Sequence, residues 1–202
     1  MRALRRTLLA TLLVSIGTAV CWAEAQVGRP APDFALTDTD GQARSLAGLK
    51  GRYVVLEWSN HECPFTRKHY TSGNMQRLQQ RYTGQGVVWL TVVSSAAGKQ
   101  GHVTAAQANG IRTERGDRST AMLLDSEGRV GRLYGAKTTP HLFIVNPAGI
   151  LIYAGAIDDT PSADPADTAT AKNYVQQALD EALAGKPVSV QETKPYGCSV
   201  KY

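Results

Sequence analysis

The sequence predicts an α/β domain: a central mixed β-sheet with helices on both faces, opened by an N-terminal β-hairpin. Three observations predict it. Tyr53-Val54-Val55-Leu56-Glu57-Trp58 is a β-rich run that leads into Cys63-Pro64 and a helical periodicity. Val87 to Val93 is almost continuously apolar, the pattern of a strand buried on both faces. Leu142 to Val145 and Ile150 to Ala154 flank the turn Asn146-Pro147-Ala148-Gly149, as the arms of a closing hairpin do.

The remaining elements fall between these. After an extended entry at Pro30 and Pro32, Phe34-Ala35-Leu36 alternates toward the turn Asp38-Thr39-Asp40-Gly41, which reads as the opening hairpin. Gly48 to Arg52 form a loop before the central strand Tyr53 to Trp58. Pro64 to about Tyr82 reads as helix because Met75, Leu78 and Tyr82 recur at helical spacing. Gly73 and Asn74 weaken its middle and predict a kink or a split there. A short helix follows near Thr104 to Asn109, a third strand at Ala121 to Asp125 and a brief helix from Val130 to Tyr134. Asp159 to Ala169 is a loop rich in Pro, Asp, Ala and Thr, and Ala171 to Leu183 is a last helix stopped by Gly185. The order β-α-β-α-β-α-β-β-α gives the mixed, two-faced sheet.

The first residues read as a targeting segment. Arg2, Arg5 and Arg6 precede the apolar stretch Leu8 to Val20, and Ala23-Glu24-Ala25 is a small-x-small cleavage site. The expected organisation is a signal peptide over 1–25, one domain over 26–187 and a tail over 188–202. A soluble periplasmic or secreted protein follows from that reading. Loss of Arg2, Arg5, Arg6 and Glu24 with the leader lowers the formal charge from +5 to +3. Arg112, Arg115 and Arg118 are interleaved with Glu114 and Asp117, so no basic surface for nucleic acid is expected.

Cleavage would also remove Cys21 and leave two thiols, Cys63 and Cys198. Pro64 suits the first position of a helix, which makes Cys63 its N-cap, facing unpaired N–H groups and the positive end of the helix dipole. That environment lowers a thiol's pKa and produces the nucleophilic thiolate. The competing reading is a buried structural cysteine. Cys198 lies in Pro195-Tyr196-Gly197-Cys198-Ser199, in a glycine-containing terminus of the kind that is mobile unless tied down. It reads as a resolving thiol for an oxidised Cys63, as half of a structural disulfide, or as an independent thiol.

Three segments resemble the thioredoxin-like superfamily, in particular its redoxin and alkyl-hydroperoxide-reductase/thiol-specific-antioxidant branch, which includes the peroxiredoxins. They are Pro30 to Leu36 with Asp40-Gly41 and Ser45-Leu46, Tyr53 to Pro64, and Thr138-Thr139-Pro140 with Leu142 to Asn146 and Gly149. The resemblance spans about 27–158. It implies a thioredoxin-like fold, a cis peptide before Pro140 and a position for Pro140 opposite Cys63. It also implies an antioxidant-type thiol oxidoreductase acting on a peroxide or a protein disulfide and recycled by an external dithiol.

The departures bear on mechanism. Thr66 stands where a Cys-x-x-Cys motif has its second cysteine, so Cys63 has no neighbouring thiol in that motif. Asn60 stands where peroxiredoxins carry Thr or Ser, with Ser59 one further back, and Arg67 and Arg132 are candidates for the arginine of that site. Thr66 either donates its hydroxyl to the thiolate or satisfies the helix terminus. His61 and His141 either flank the thiol or are loop histidines, and Glu62 would raise the thiol pKa if it pointed inward. The expected catalytic set is Cys63, Cys198, Thr66 and Pro140, with no cofactor and no metal. The Cys63–Cys198 bond would form within one chain or across a homodimer. The alternatives are a copper-binding or delivery module using Cys63, His61 and His141, and a redox-inert interaction domain.

Overall fold

In a computed structural model the described residues are 24–202. The predicted leader therefore lies outside them, apart from Glu24 and Ala25; the Ala25 N–H donates to the Leu133 carbonyl. The hairpin strands β1 (Ala35–Thr37) and β2 (Ala43–Ser45) pair antiparallel, with Leu36 opposite Arg44. The central sheet contains β3 (Val54–Trp58), β4 (Val88–Val93), β5 (Ala121–Leu124), β7 (His141–Val145) and β8 (Leu151–Gly155) in the order β5-β4-β3-β7-β8. β3 runs parallel to β4 and antiparallel to β7, which makes the sheet mixed as expected.

Alternation along β3 sorts its side chains between two cores. Val54, Leu56 and Trp58 join Phe34, Phe143 and Tyr134 on one face. Val55 packs on the other with Tyr70, Met75, Tyr82 and Leu179. That second face is covered by α1 (Pro64–Thr71), α2 (Asn74–Thr83) and α5 (Tyr174–Leu183), and the first by the hairpin and α4 (Arg129–Leu133). Trp58, Tyr134 and Phe143 form a mutual aromatic cluster with centroids 5.2 to 5.5 Å apart.

The long helix is split at Gly73, one of the two outcomes expected there, because Gly73 takes the left-handed conformation (φ 71°) that caps α2 and ends the run of α1. Two elements differ from the sequence reading. α3 (Ala105–Glu114) extends beyond Asn109, started by a reciprocal cap between Thr104 and Gln107. The tail is tied down rather than free. Its β9 (Cys198–Ser199) pairs antiparallel with a short β6 (Thr138–Thr139), a ladder too brief to carry a hydrophobic pattern.

Candidate active site around Cys63

Cys63 caps α1 in an extended conformation, with Pro64 at the first helical turn. The chain reaches it from the C-terminal end of the central strand through a tight loop. Asn60 Oδ1 accepts the Glu62 N–H at 2.9 Å, and Glu62 Oε2 accepts the Gly101 N–H at 2.6 Å. Glu62 is thereby turned away from the thiol. Opposite stands the Thr139–Pro140 peptide, which is cis, and the Cys63 thiol donates to the Thr139 carbonyl at 3.0 Å.

The tail completes the site. β9 sets Cys198 opposite Thr139, and its thiol is directed at Cys63 within one chain. Both cysteines are free thiols, and Cys63 is fully buried. Burial is the largest influence on Cys63 and pushes its pKa up. The Cys198 thiol, the Thr139 hydroxyl and the Thr66 amide outweigh it and hold the thiol below its ordinary value. The Thr66 amide faces the sulfur without closing a capping bond to the thiol form. Cys198 moves the other way: burial and the adjacent Cys63 push it up to about 11. The Thr139 carbonyl favours the protonated thiol, but it is one acceptor against several donors. Of the two thiols, this asymmetry leaves Cys63 the easier to ionise.

The other residues singled out from sequence are placed as follows. Thr66 is fully buried, and its hydroxyl has no partner among the described residues, so its amide rather than its side chain faces the sulfur. His141 is buried; its Nδ1 accepts the Lys137 N–H at 3.3 Å and its ring packs at a 42° tilt against Phe143, centroids 4.3 Å apart. Burial lowers its pKa to about 3, so it supplies no imidazolium. His61 lines a groove of about 520 Å³ between α1 and α3 with Thr66, Arg67, Tyr70, Ile111 and Arg115. Arg132 is occupied elsewhere, donating to the Glu127 carbonyl and lying over the Tyr202 ring. A larger cavity, about 890 Å³, is lined by Asp33, Phe34, Arg129 and Leu133 and contains no thiol. Among the described residues, no three His, Cys, Asp or Glu side chains are placed to hold a metal ion.

Two buried polar clusters were not singled out from sequence. Glu57 is fully buried on the α1–α2 side of β3. It accepts from Tyr70 and Trp89, each at 2.9 Å, and from Gln79 at 3.3 Å. Burial first, then the nearby Asp117, pushes its carboxyl up to about 7 against the opposing pull of Arg115. An acid within the apolar run Val54 to Trp58 was the available signal. The second cluster joins Lys68 and His69 of α1 to Asp158 and to Tyr196 of the tail. Its members are so far apart in sequence that only the fold assembles them.

A family model described as the AhpC/TSA family matches residues 27–154. The chain belongs to the AhpC/TSA family. Its architecture is the thioredoxin-like fold. Two relatives from Bacillus subtilis (strain 168) are each 26% identical to it. A thioredoxin-like protein, YneN, aligns over 62% of this chain and 69% of its own length. The thiol-disulfide oxidoreductase ResA aligns over 62% of this chain and 64%, less than two thirds, of its own. Among solved structures, an uncharacterized conserved protein from Geobacillus kaustophilus superposes with a TM-score of 0.74 at 26% identity. That match covers 88% of this chain and 92% of the other.

Proposed function

We propose that this AhpC/TSA-family protein is an exported thiol–disulfide oxidoreductase in which Cys63 is the nucleophile and Cys198 closes an internal disulfide. The observation that carries the reading is the meeting of the two thiols beside Pro140, with Cys63 favouring ionisation and Cys198 opposing it. The Cys63 thiolate attacks a disulfide of the partner, forming a mixed disulfide and expelling one partner thiolate, which takes up a proton. Cys198 then gives up its proton and attacks the Cys63 sulfur, which releases the second partner thiol. The partner has gained two electrons, and Cys63–Cys198 has lost them. An external dithiol restores both thiols by the reverse exchange. Thr66 serves through its amide, and the Pro140 turn presents the Thr139 carbonyl to the thiol.

A disulfide substrate is preferred over a peroxide because two of the three candidate peroxide-site side chains, Asn60 and Arg132, are engaged elsewhere, while the third, Arg67, lines the groove beside His61. Asn60 is bonded to the Gln100 carbonyl and the Glu62 amide, and Arg132 to the Glu127 carbonyl. The similarity to ResA, a thiol-disulfide oxidoreductase, agrees with this choice. Export rests on the leader reading of 1–25, which places the protein in the periplasm or outside the cell, where disulfide chemistry is maintained.

The test is peptide mapping of the reduced protein after brief exposure to one equivalent of oxidised glutathione, and separately of hydrogen peroxide. A linked Cys63–Cys198 peptide with glutathione disulfide, and little with peroxide, is the expected result. Peroxide oxidation orders of magnitude faster than that of an ordinary thiol would make the protein a peroxidase. Thiols untouched by both would leave a redox-inert fold.

A further inference from the structure

The tail that carries Cys198 also closes the site. Leaving α5, it runs along the outer edge of β8: the Gln191 carbonyl accepts the Ala154 N–H at 3.0 Å, and the Thr193 N–H donates to the Ala154 carbonyl at 3.1 Å. It then turns inward at Tyr196. The Tyr196 hydroxyl donates to Asp158, Lys68 Nζ lies 3.4 Å from it and His69 Nε2 lies 3.3 Å from it. Because that hydroxyl donates to the carboxylate, it accepts from His69 Nε2–H. His69 Nδ1 is then free to accept from Asn74 at 3.0 Å. Lys68, His69 and Asp158 are all buried, and none of them is bonded to Cys63.

Beyond Tyr196 the tail presses against the cis turn. Gly197 has φ 136°, and a β-carbon on it would lie 2.2 Å from the Thr139 oxygen, so only glycine permits this approach. The β6–β9 ladder that follows has two residues per strand, too few to hold by themselves. They are held at both ends. Tyr196 docks on one side. On the other, the Val200 N–H donates to the Lys137 carbonyl at 3.1 Å and the Tyr202 hydroxyl to the Ala136 carbonyl at 2.8 Å. Beneath this segment Cys63 has no exposed surface, so no macromolecular disulfide reaches it while the segment is in place.

We propose that residues 196–202 form a releasable strap and that Tyr196 is its latch. Docked in the Lys68–Asp158–His69 cluster, Tyr196 positions Cys198 on Thr139 and shuts Cys63 from solvent, and release from Tyr196 onward admits the partner. The positioning half rests on the reading of Cys63 and Cys198 as a redox pair; the shielding half does not. Tyr196 is a positioning residue, since it touches neither thiol.

Two variants release the strap by different means. Tyr196→Phe keeps the ring on Phe65 (centroids 5.9 Å apart) and removes only the hydroxyl. Gly197→Ala leaves the cluster whole and forces the chain off Thr139. The measurement is the rate at which iodoacetamide alkylates Cys63 in the reduced native chain, read by mass mapping. Amide exchange is followed in parallel over β3, β7 and the tail. Tyr196→Phe is expected to be alkylated about ten- to a hundredfold faster, the range of one lost hydrogen bond to a charged group, and Gly197→Ala, whose β-carbon meets the Thr139 oxygen, is also expected to be alkylated faster than the parent. Exchange should rise over 196–202 and at its partners Thr138–Thr139 and Ala96, not over β3 or β7, and closure of the Cys63–Cys198 disulfide by oxidised glutathione should slow. An alkylation rate in Tyr196→Phe equal to the parent's overturns the latch, and an unchanged rate in Gly197→Ala overturns the strap. Alkylation needs neither oxidant nor partner, so a redox-inert Cys63 would leave this result standing and sink only the functional reading.

Discussion

Cys198 faces Thr139 across a two-residue antiparallel ladder, and Thr139 is the residue whose carbonyl meets the Cys63 thiol 3.0 Å away. One short pairing therefore fixes both the position of the second thiol and the hydrogen bonding of the first. The ionisation of Cys63 should depend on Cys198. Because the Cys198 thiol is a donor that stabilises the Cys63 thiolate, Cys198→Ala is expected to raise the Cys63 pKa. Titration by ultraviolet thiolate absorbance gives a midpoint below 9.0 in the parent and a higher one in the variant. An unmoved midpoint would mean that the two thiols do not interact in solution.

Glu57 makes stability depend on pH in the direction opposite to an ion-paired carboxylate. Its folded pKa, about 7, lies above the ordinary 4.5, so the native state holds the proton more tightly than the unfolded chain. Its contribution is fully present below about 4.5 and is lost as pH rises toward 7, on the order of 3 kcal/mol across that window. Asp117 raises and Arg115 lowers this pKa, so both belong to the same titration. Denaturant unfolding at several pH values should show stability falling through this range in the parent and a flatter profile in Glu57→Gln. Parallel profiles would remove Glu57 as the source.

The fold was legible where side-chain pattern carries the signal. Val54 to Trp58 and Val88 to Val93 became adjacent parallel strands, and Pro64 after Cys63 marked the helix start. The tail was not legible, because β9 is two residues long and is held by backbone bonds to Thr138–Thr139 rather than by an apolar stripe. Glycine and a position near the terminus suggested mobility, whereas Gly197 is there for close approach to Thr139. The environment of Cys63 was half legible. Its cap position follows from local sequence, but which of Thr66, His61 and His141 serves it depends on side-chain direction. The Thr66 amide faces it, and His141 turns to the Lys137 amide instead.

Lys68 and Asp158 should behave as one energetic unit. Lys68 Nζ lies 3.2 Å from Asp158 Oδ2 and 2.7 Å from the Thr160 carbonyl, with both charged side chains buried. Lys68→Met leaves a buried carboxylate without its cation and is expected to cost roughly 3 kcal/mol. Adding Asp158→Asn removes the stranded charge, so the double variant should be more stable than the two single losses predict. A denaturation cycle that proves simply additive would show that the pair does not act together.

Cys198→Ser separates the two steps of the proposed exchange and, with them, the two substrate classes. Cys63 can still attack a disulfide, but the mixed disulfide must await an external thiol. A tethered thiol acts at an effective concentration of about 1 mM or more. With an external thiol held near 10 μM, turnover should therefore fall about a hundredfold. The mixed disulfide on Cys63 should accumulate and be visible by intact mass. If peroxide were the substrate, the same variant would instead collect oxygen on Cys63, first as sulfenic acid and then as sulfinic acid. A disulfide adduct thus argues for exchange and an oxygen adduct for peroxide reduction. Unimpaired turnover would remove Cys198 from the mechanism, because among the described residues it is the one other cysteine.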